Sequence, residues 1–135
     1  MSHNKLQSLP SGIEGLTSLA HLNVSDNDLV SLPSGLWFLP LVTLFASTNK
    51  IAELAPPPFN PRTSSLAKNL QVLALGSNRL SSDRNVFATI SHLGYLKLLD
   101  LSYNGLAEVP SSIVGLTGYI FFFFFFFCTN SLCMY

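Results

Sequence analysis

The side chains that most often do chemistry are sparse in this chain and poorly spaced for it. His3, His21 and His92 stand far apart, and a general base needs a partner within hydrogen-bond reach. Cys128 and Cys133 form a lone C-x4-C pair, two ligands short of the tetrahedral set that zinc requires. There is no glycine-rich phosphate loop, no H-E-x-x-H and no G-x-S-x-G; serines and aspartates fall at turn positions, where they bond the local backbone. These observations point away from an enzyme, and they call for no cofactor and no metal. The polar residue that does recur in order is asparagine, at positions 4, 27, 49, 78 and 104. A carboxamide both accepts and donates. A row of them therefore suits places where the chain turns inward and leaves backbone N–H and C=O groups to be satisfied.

The elements that must position those asparagines come just before them. Leu96, Leu99 and Leu101 precede Asn104 and Leu106 in the pattern LxxLxLxxNxL. The same spacing holds for Leu19, Leu22, Val24, Asn27 and Leu29, for Leu41, Leu44, Ala46, Asn49 and Ile51, and for Leu70, Leu73, Leu75, Asn78 and Leu80. Asn4-x-Leu6 is a truncated fifth copy. In the central L-x-L the period is two, so both apolar residues face one side and the residues between them the other. The array resembles leucine-rich repeats. That resemblance implies an α/β solenoid with short parallel strands on the concave face, extended or short helical segments on the convex face, and a ladder made by Asn4, Asn27, Asn49, Asn78 and Asn104.

Successive asparagines lie 23, 22, 29 and 26 residues apart, so the last two units carry insertions. Leu9-Pro10-Ser11-Gly12-Ile13, Leu32-Pro33-Ser34-Gly35-Leu36 and Val109-Pro110-Ser111-Ser112-Ile113 are one returning segment. Its proline fixes φ and supplies no donor, which suits extended backbone outside the strand ladder. Residues 55–65, rich in proline and serine, read as an exposed and mobile loop, a tolerated insertion. Val86, Phe87, Ile90 and Leu93 recur at helical spacing, with Ser82 or Asp83 available as N-cap and His92 on the same convex helix.

The domain boundary expected from these patterns places a repeat domain at 1–117 and a hydrophobic tail at 118–135. Apolar residues make up 48% of the 135-residue chain and charged residues 10%, enough to fill one core but a low charge content for a domain of this size. Seven basic and seven acidic side chains balance to zero, which gives no electrostatic case for nucleic acid or an anionic membrane. The opening MSHNKLQSLP reads as repeat rather than as the apolar core of a secretory leader. Both cysteines lie in the tail and form no disulfide framework. A cytoplasmic location is the expectation that follows, and the sequon Asn23-Val24-Ser25 carries little weight under it.

LNVSDNDLVSLPSGLWFLPLVTLFASTNKIAEL, a Pro/Ser-rich break, and NLQVLALGSNRLSSDRNVFATISHLGYLKLLDLSYNGLAEVP together resemble the repeat region of fungal adenylate cyclases over residues 4–117. The likeness lies in the order of features: two regular repeats, a proline-rich interruption after ASTN, a repeat ending in the helix from Asp83 to Leu93, then LDLSYN-x-L-x-x-VP. The resemblance implies a docking surface for a Ras-type GTPase ahead of a catalytic domain, and nothing in this chain resembles that domain.

After Leu116 another L-x-x-L-x-L is due, yet the chain reads Gly118-Tyr119-Ile120 followed by seven phenylalanines, Phe121 to Phe127. Phenylalanine codons are thymine-rich, so the favoured expectation is that the reading frame enters an intron near Gly118, leaving a gene-model fragment. A membrane tether is the alternative. Ile113 to Cys128 supplies 16 residues, short of the roughly 20 a span requires, and no basic residue follows Lys97 to orient it. As a continuing strand the run would turn alternate rings to solvent and invite aggregation.

Function is expected on the concave face, among residues that point opposite the core leucines. By register these are Ala20, His21, Asn23, Ser25 and Asp26; Val42, Thr43, Phe45, Ser47 and Thr48; Gln71, Val72, Ala74, Gly76 and Ser77; and Lys97, Leu98, Asp100, Ser102 and Tyr103. Phe45, Leu98 and Tyr103 are the candidate anchors of a protein interface, where aromatic residues tend to dominate the energy. His21, Asn23, Asp26, Lys97 and Asp100 form the candidate polar rim.

Overall fold

The computed structural model describes residues 4–82, 85–107 and 113, and the backbone of 121–123. Each L-x-L forms a three-residue strand: β1 (His21–Asn23), β3 (Thr43–Phe45), β5 (Val72–Ala74) and β6 (Leu98–Asp100). They pair in parallel in the order β1-β3-β5-β6, and β7 (Phe121–Phe123) follows β6 at the end of the same sheet. The central leucines stack in one row, Leu22 beside Leu44, Leu73 and Leu99. Leu44, Leu73 and Leu99 are buried, whereas Leu22, on the edge strand, is only partly covered. This is the α/β leucine-rich-repeat solenoid that the leucine spacing implies, with parallel strands along one face and short turns of helix along the other.

Beyond the strands the chain turns inward, and the asparagines meet the backbone there in one repeated way. The Oδ1 atom of each accepts an N–H from the preceding coil: Asn27 from Leu6 at 3.1 Å, Asn49 from Leu29 at 3.0 Å, Asn78 from Ile51 at 3.0 Å and Asn104 from Leu80 at 2.9 Å. The Nδ2 atom donates to carbonyls of its own coil, as from Asn49 to Ala46 at 3.1 Å and Ser47 at 3.2 Å. From Asn49 onward Nδ2 also reaches back one coil, to Val24 (3.0 Å), Ala46 (3.0 Å) and Leu75 (2.9 Å) in turn. Asn4, at the outer end, donates its backbone N–H to the Asp26 carbonyl and is exposed.

On the convex side the returning segment is not wholly outside pairing. β2 (Ser31–Leu32) and β4 (Glu53–Leu54) form a separate two-stranded parallel ladder, and Pro33 then opens a 3-10 helix at Ser34–Phe38. Residues 55–65 do not hang free as a mobile loop. The Trp37 indole N–H donates to the Ala55 carbonyl at 2.9 Å, and the Phe59 ring sits 4.7 Å from that of Phe38. Fully buried Ser64 donates to the Trp37 carbonyl at 2.8 Å while capping α1 (Ser65–Asn69) through the Ala67 N–H. Two aromatic side chains on the preceding coil and one buried hydroxyl thus hold the insertion down.

The next convex segment forms α2 (Val86–Ile90), which buries Val86, Phe87, Thr89 and Ile90. It is shorter than its apolar spacing implies. Leu93 is buried just beyond it, and His92 lies after the C-terminal Ser91 rather than on the helix. Ser82 is not its cap: the N-cap position belongs to Asn85, and the Ser82 hydroxyl instead accepts the Ala107 N–H at 3.0 Å, tying adjacent coils. Asp83 and nearly all of 118–135 lie outside the described residues, apart from the β7 backbone, where Phe122 registers with Leu99. No helix among the described residues is long and apolar enough to cross a membrane.

Candidate interaction surface

The sheet offers the face opposite the leucines as two rows in register. One runs His21, Thr43, Val72, Leu98 and the other Asn23, Phe45, Ala74, Asp100. Among the described residues the helices lie on the leucine side, and no described element forms a layer above these rows. His21 Nδ1 lies 2.9 Å from Thr43 Oγ1 across the first strand pair. Phe45 stands 39% exposed, and its neighbour in the row, Ala74, is small and buried. Leu98 is half-buried and Lys97, just before the strand, exposed.

Two of the expected rim residues are turned on their own backbone. Asn23 Oδ1 accepts the Ser25 N–H at 3.0 Å, and Asp100 Oδ1 accepts the Ser102 N–H at 2.9 Å. Both are Asx turns that end a strand. Each therefore keeps some capacity for an external contact, but its orientation is fixed. Gly76 makes room for the second turn: a Cβ there would lie 2.8 Å from Asp100 Oδ2 and 2.9 Å from Ser102 Oγ.

A third row escaped the sequence reading as a structural feature. The residue before each inner asparagine adopts positive φ: Asp26 at 55°, Thr48 at 56°, Ser77 at 55° and Tyr103 at 52°. Backbone bonding between coils holds this left-handed turn, for example Thr48 N–H to the Gly76 carbonyl at 2.8 Å. None of the four is glycine, so the usual signal was missing; the usable one was position, always one residue ahead of the asparagine. The turn projects Tyr103, 52% exposed, past the end of β6. Phe45 and Tyr103 accordingly occupy different rows of one surface, with Asp26 at the opposite edge.

Beyond the asparagine row, Lys50 Nζ lies 2.6 Å from Asp28 Oδ1. The hydrogen bond and the charge of this ammonium hold the Asp28 carboxyl below its ordinary value. The pair's contribution is therefore present above the unfolded carboxylate pKa and is lost as pH falls through the lowered one. Among the described residues no group of three His, Cys, Asp or Glu side chains is placed to hold a metal ion.

Comparison with known proteins agrees with this architecture. A family model described as Leucine Rich Repeat matches residues 95–116. Lumican from Rattus norvegicus is 35% identical over 121 residues, which take in 88% of this chain and 34% of lumican. Oryctolagus cuniculus lumican is 34% identical over the same length, with 59% of that protein covered. Toll-like receptor 10 of Bos taurus is 35% identical over 114 residues, spanning 82% of this chain and 13% of the receptor. A solved leucine-rich-repeat protein of Leptospira interrogans superposes with a TM-score of 0.56 at 23% identity, covering 89% of this chain and 34% of that one. The chain spans about a third of the length of most of the lumicans that it matches.

Proposed function

We propose that this leucine-rich-repeat solenoid is a non-catalytic protein-protein interaction module that binds its partner on the concave sheet face. The observation that carries this reading is the double row across four strands, uncovered among the described residues, with exposed Phe45 in it and exposed Tyr103 in the turn beyond its end. Large side chains on fixed backbone lose little freedom on binding and bury much area. His21, Asn23, Asp26, Lys97, Leu98 and Asp100 surround them as the contacts that set register.

A Ras-type GTPase is the partner implied by the resemblance to fungal adenylate cyclases. None of the relatives named above is a cyclase, so that resemblance stands alone behind it. The cytoplasmic location expected from the cysteines draws no support from relatives that include a protein named as a receptor. The tether reading, through residues 113–128, gains no observation from the described residues.

Pull-down with the wild-type chain and with the Phe45→Ala/Tyr103→Ala variant tests the face, with Leu16→Ala/Val30→Ala as a control for exposed apolar side chains elsewhere. Loss of binding in the first variant and retention in the control is expected. Unchanged binding by a folded Phe45→Ala/Tyr103→Ala chain defeats the assignment. Purified Ras in GTP-loaded and GDP-loaded forms is the defined probe of the finer reading: capture of the GTP form alone supports it, and capture of neither removes it while leaving the interaction face standing.

A further inference from the structure

Away from the concave face, the insertion builds a feature that the regular coils lack. Between its 3-10 helix (Pro61–Thr63) with α1 on one side and the turn after α2 on the other lies an open cleft of about 470 Å3. Arg62, Lys68, Ser91, His92 and Tyr95 line it, and among the described residues no acidic side chain does. The chain as a whole is formally neutral, so this concentration of donors does not reflect a general excess of cations. Glu53 lines a separate groove that shares His92 with this one.

The walls are fixed although the side chains reach into solvent. Asn60 Oδ1 accepts the Arg62 N–H at 3.0 Å, and buried Ser64 pins the segment between Arg62 and Lys68 to the Trp37 carbonyl. Across the cleft, buried Leu93 and Leu96 anchor the turn that carries Tyr95. The Ser91 hydroxyl is occupied by the Ala88 carbonyl at 2.7 Å. Arg62, Lys68, His92 and Tyr95 make no side-chain hydrogen bond or ion pair among the described residues. Tyr95 is 64% exposed, the highest value among the large apolar and aromatic side chains of the described residues.

A cleft lined by two permanent cations, an imidazole and a phenol on an anchored frame focuses a positive field and suits a group that is all acceptor. We infer that it binds the phosphate group of an aryl phosphate monoester, with phosphate oxygens on Arg62, Lys68 and His92 and the aryl ring against Tyr95. Both a free aryl phosphate and a phosphorylated tyrosine side chain carry this chemistry.

Titration of the full chain, followed by NMR at the Gly94 and Tyr95 amides, tests it with inorganic phosphate, phenyl phosphate and a phosphotyrosyl peptide as probes. Saturable shifts with phenyl phosphate are expected, with affinity about three- to tenfold above inorganic phosphate, a margin that Tyr95→Ala removes. Arg62→Gln/Lys68→Gln should weaken all three probes about tenfold or more, whereas Lys5→Gln/Arg79→Gln, equal in charge change, should not. Tighter binding of the peptide than of phenyl phosphate assigns the source to a protein; equal binding assigns it to the free ester. Equal loss in the two double variants, or shifts that never saturate, overturns the inference. All of these substitutions are at exposed positions away from the concave face, so failure here leaves the interaction face untouched, and the reverse also holds.

Discussion

The strand side and the convex side of this solenoid solve the same burial problem under different constraints. On the strand side every inner coil repeats one arrangement, a leucine pointing in, a left-handed residue and then an asparagine with the same donors and acceptors. Carboxamide bonds reach only one distance and direction, so the number of residues from strand to asparagine cannot vary. The convex side must only roof the interior with apolar atoms, and it does so by a 3-10 helix in one coil, by a pinned insertion in the next and by α2 in the third. That freedom is why a 29-residue spacing between Asn49 and Asn78 leaves the sheet register intact.

If the comparison is right, single substitutions on the two sides should cost different amounts. Asn49→Ala is expected to cost most. It removes an acceptor from the Leu29 N–H and a donor from the carbonyls of Val24, Ala46 and Ser47. The Leu29 N–H is left without its acceptor, at about 1–3 kcal/mol, and each carbonyl, though it keeps a second donor, loses a bond of about 0.5–1.5 kcal/mol; less whatever water recovers, a loss of about 3–5 kcal/mol in urea unfolding is expected. A loss below about 1 kcal/mol would mean that stacking of leucines, not the asparagine row, sets the coil geometry.

Ser64→Ala probes the convex side and should cost less, about 1–2 kcal/mol, because it strands one carbonyl and one N–H in a segment that can rearrange. Its signature is local. Amide exchange should accelerate at Ala67, in the helix that Ser64 caps, and at Leu70, whose N–H closes its C-terminal end on the Leu66 carbonyl, while Leu44 and Leu73 keep their protection. Equal acceleration in the sheet would show that the insertion braces the whole solenoid, and the contrast between the two sides would fail.

The same contrast explains what could be read before the structure. Leu22, Leu44, Leu73 and Leu99 announced their strands because period two and a fixed distance to asparagine leave one solution. The roof gave mixed signals. Proline and serine in 55–65 do resemble a free loop, and the contrary evidence was distributed: Phe59 within the insertion, Trp37-Phe38 some twenty residues earlier, and Ser64, whose hydroxyl gains meaning only against the Trp37 carbonyl. Long-range partners of this kind have no local period. On the concave face the outward residues follow from alternation, but the Asx turns of Asn23 and Asp100 and the room that Gly76 leaves for the second were not readable from it.

Thr48 offers the smallest effect and the only one of opposite sign. Its φ of 56° is costly for any L residue and more so for a β-branched one. Its N–H donates to Gly76 and its carbonyl accepts from Asn27, so the coil enforces the conformation rather than the side chain. Thr48→Gly relieves about 1–2 kcal/mol of strain and adds about 0.5–1 kcal/mol of unfolded-chain entropy. The urea midpoint should therefore rise by the equivalent of about 1 kcal/mol with its slope unchanged. A lower midpoint would show that the threonine side chain contributes more than the left-handed turn costs, and the strand side would then depend on more than leucines, asparagines and backbone bonds.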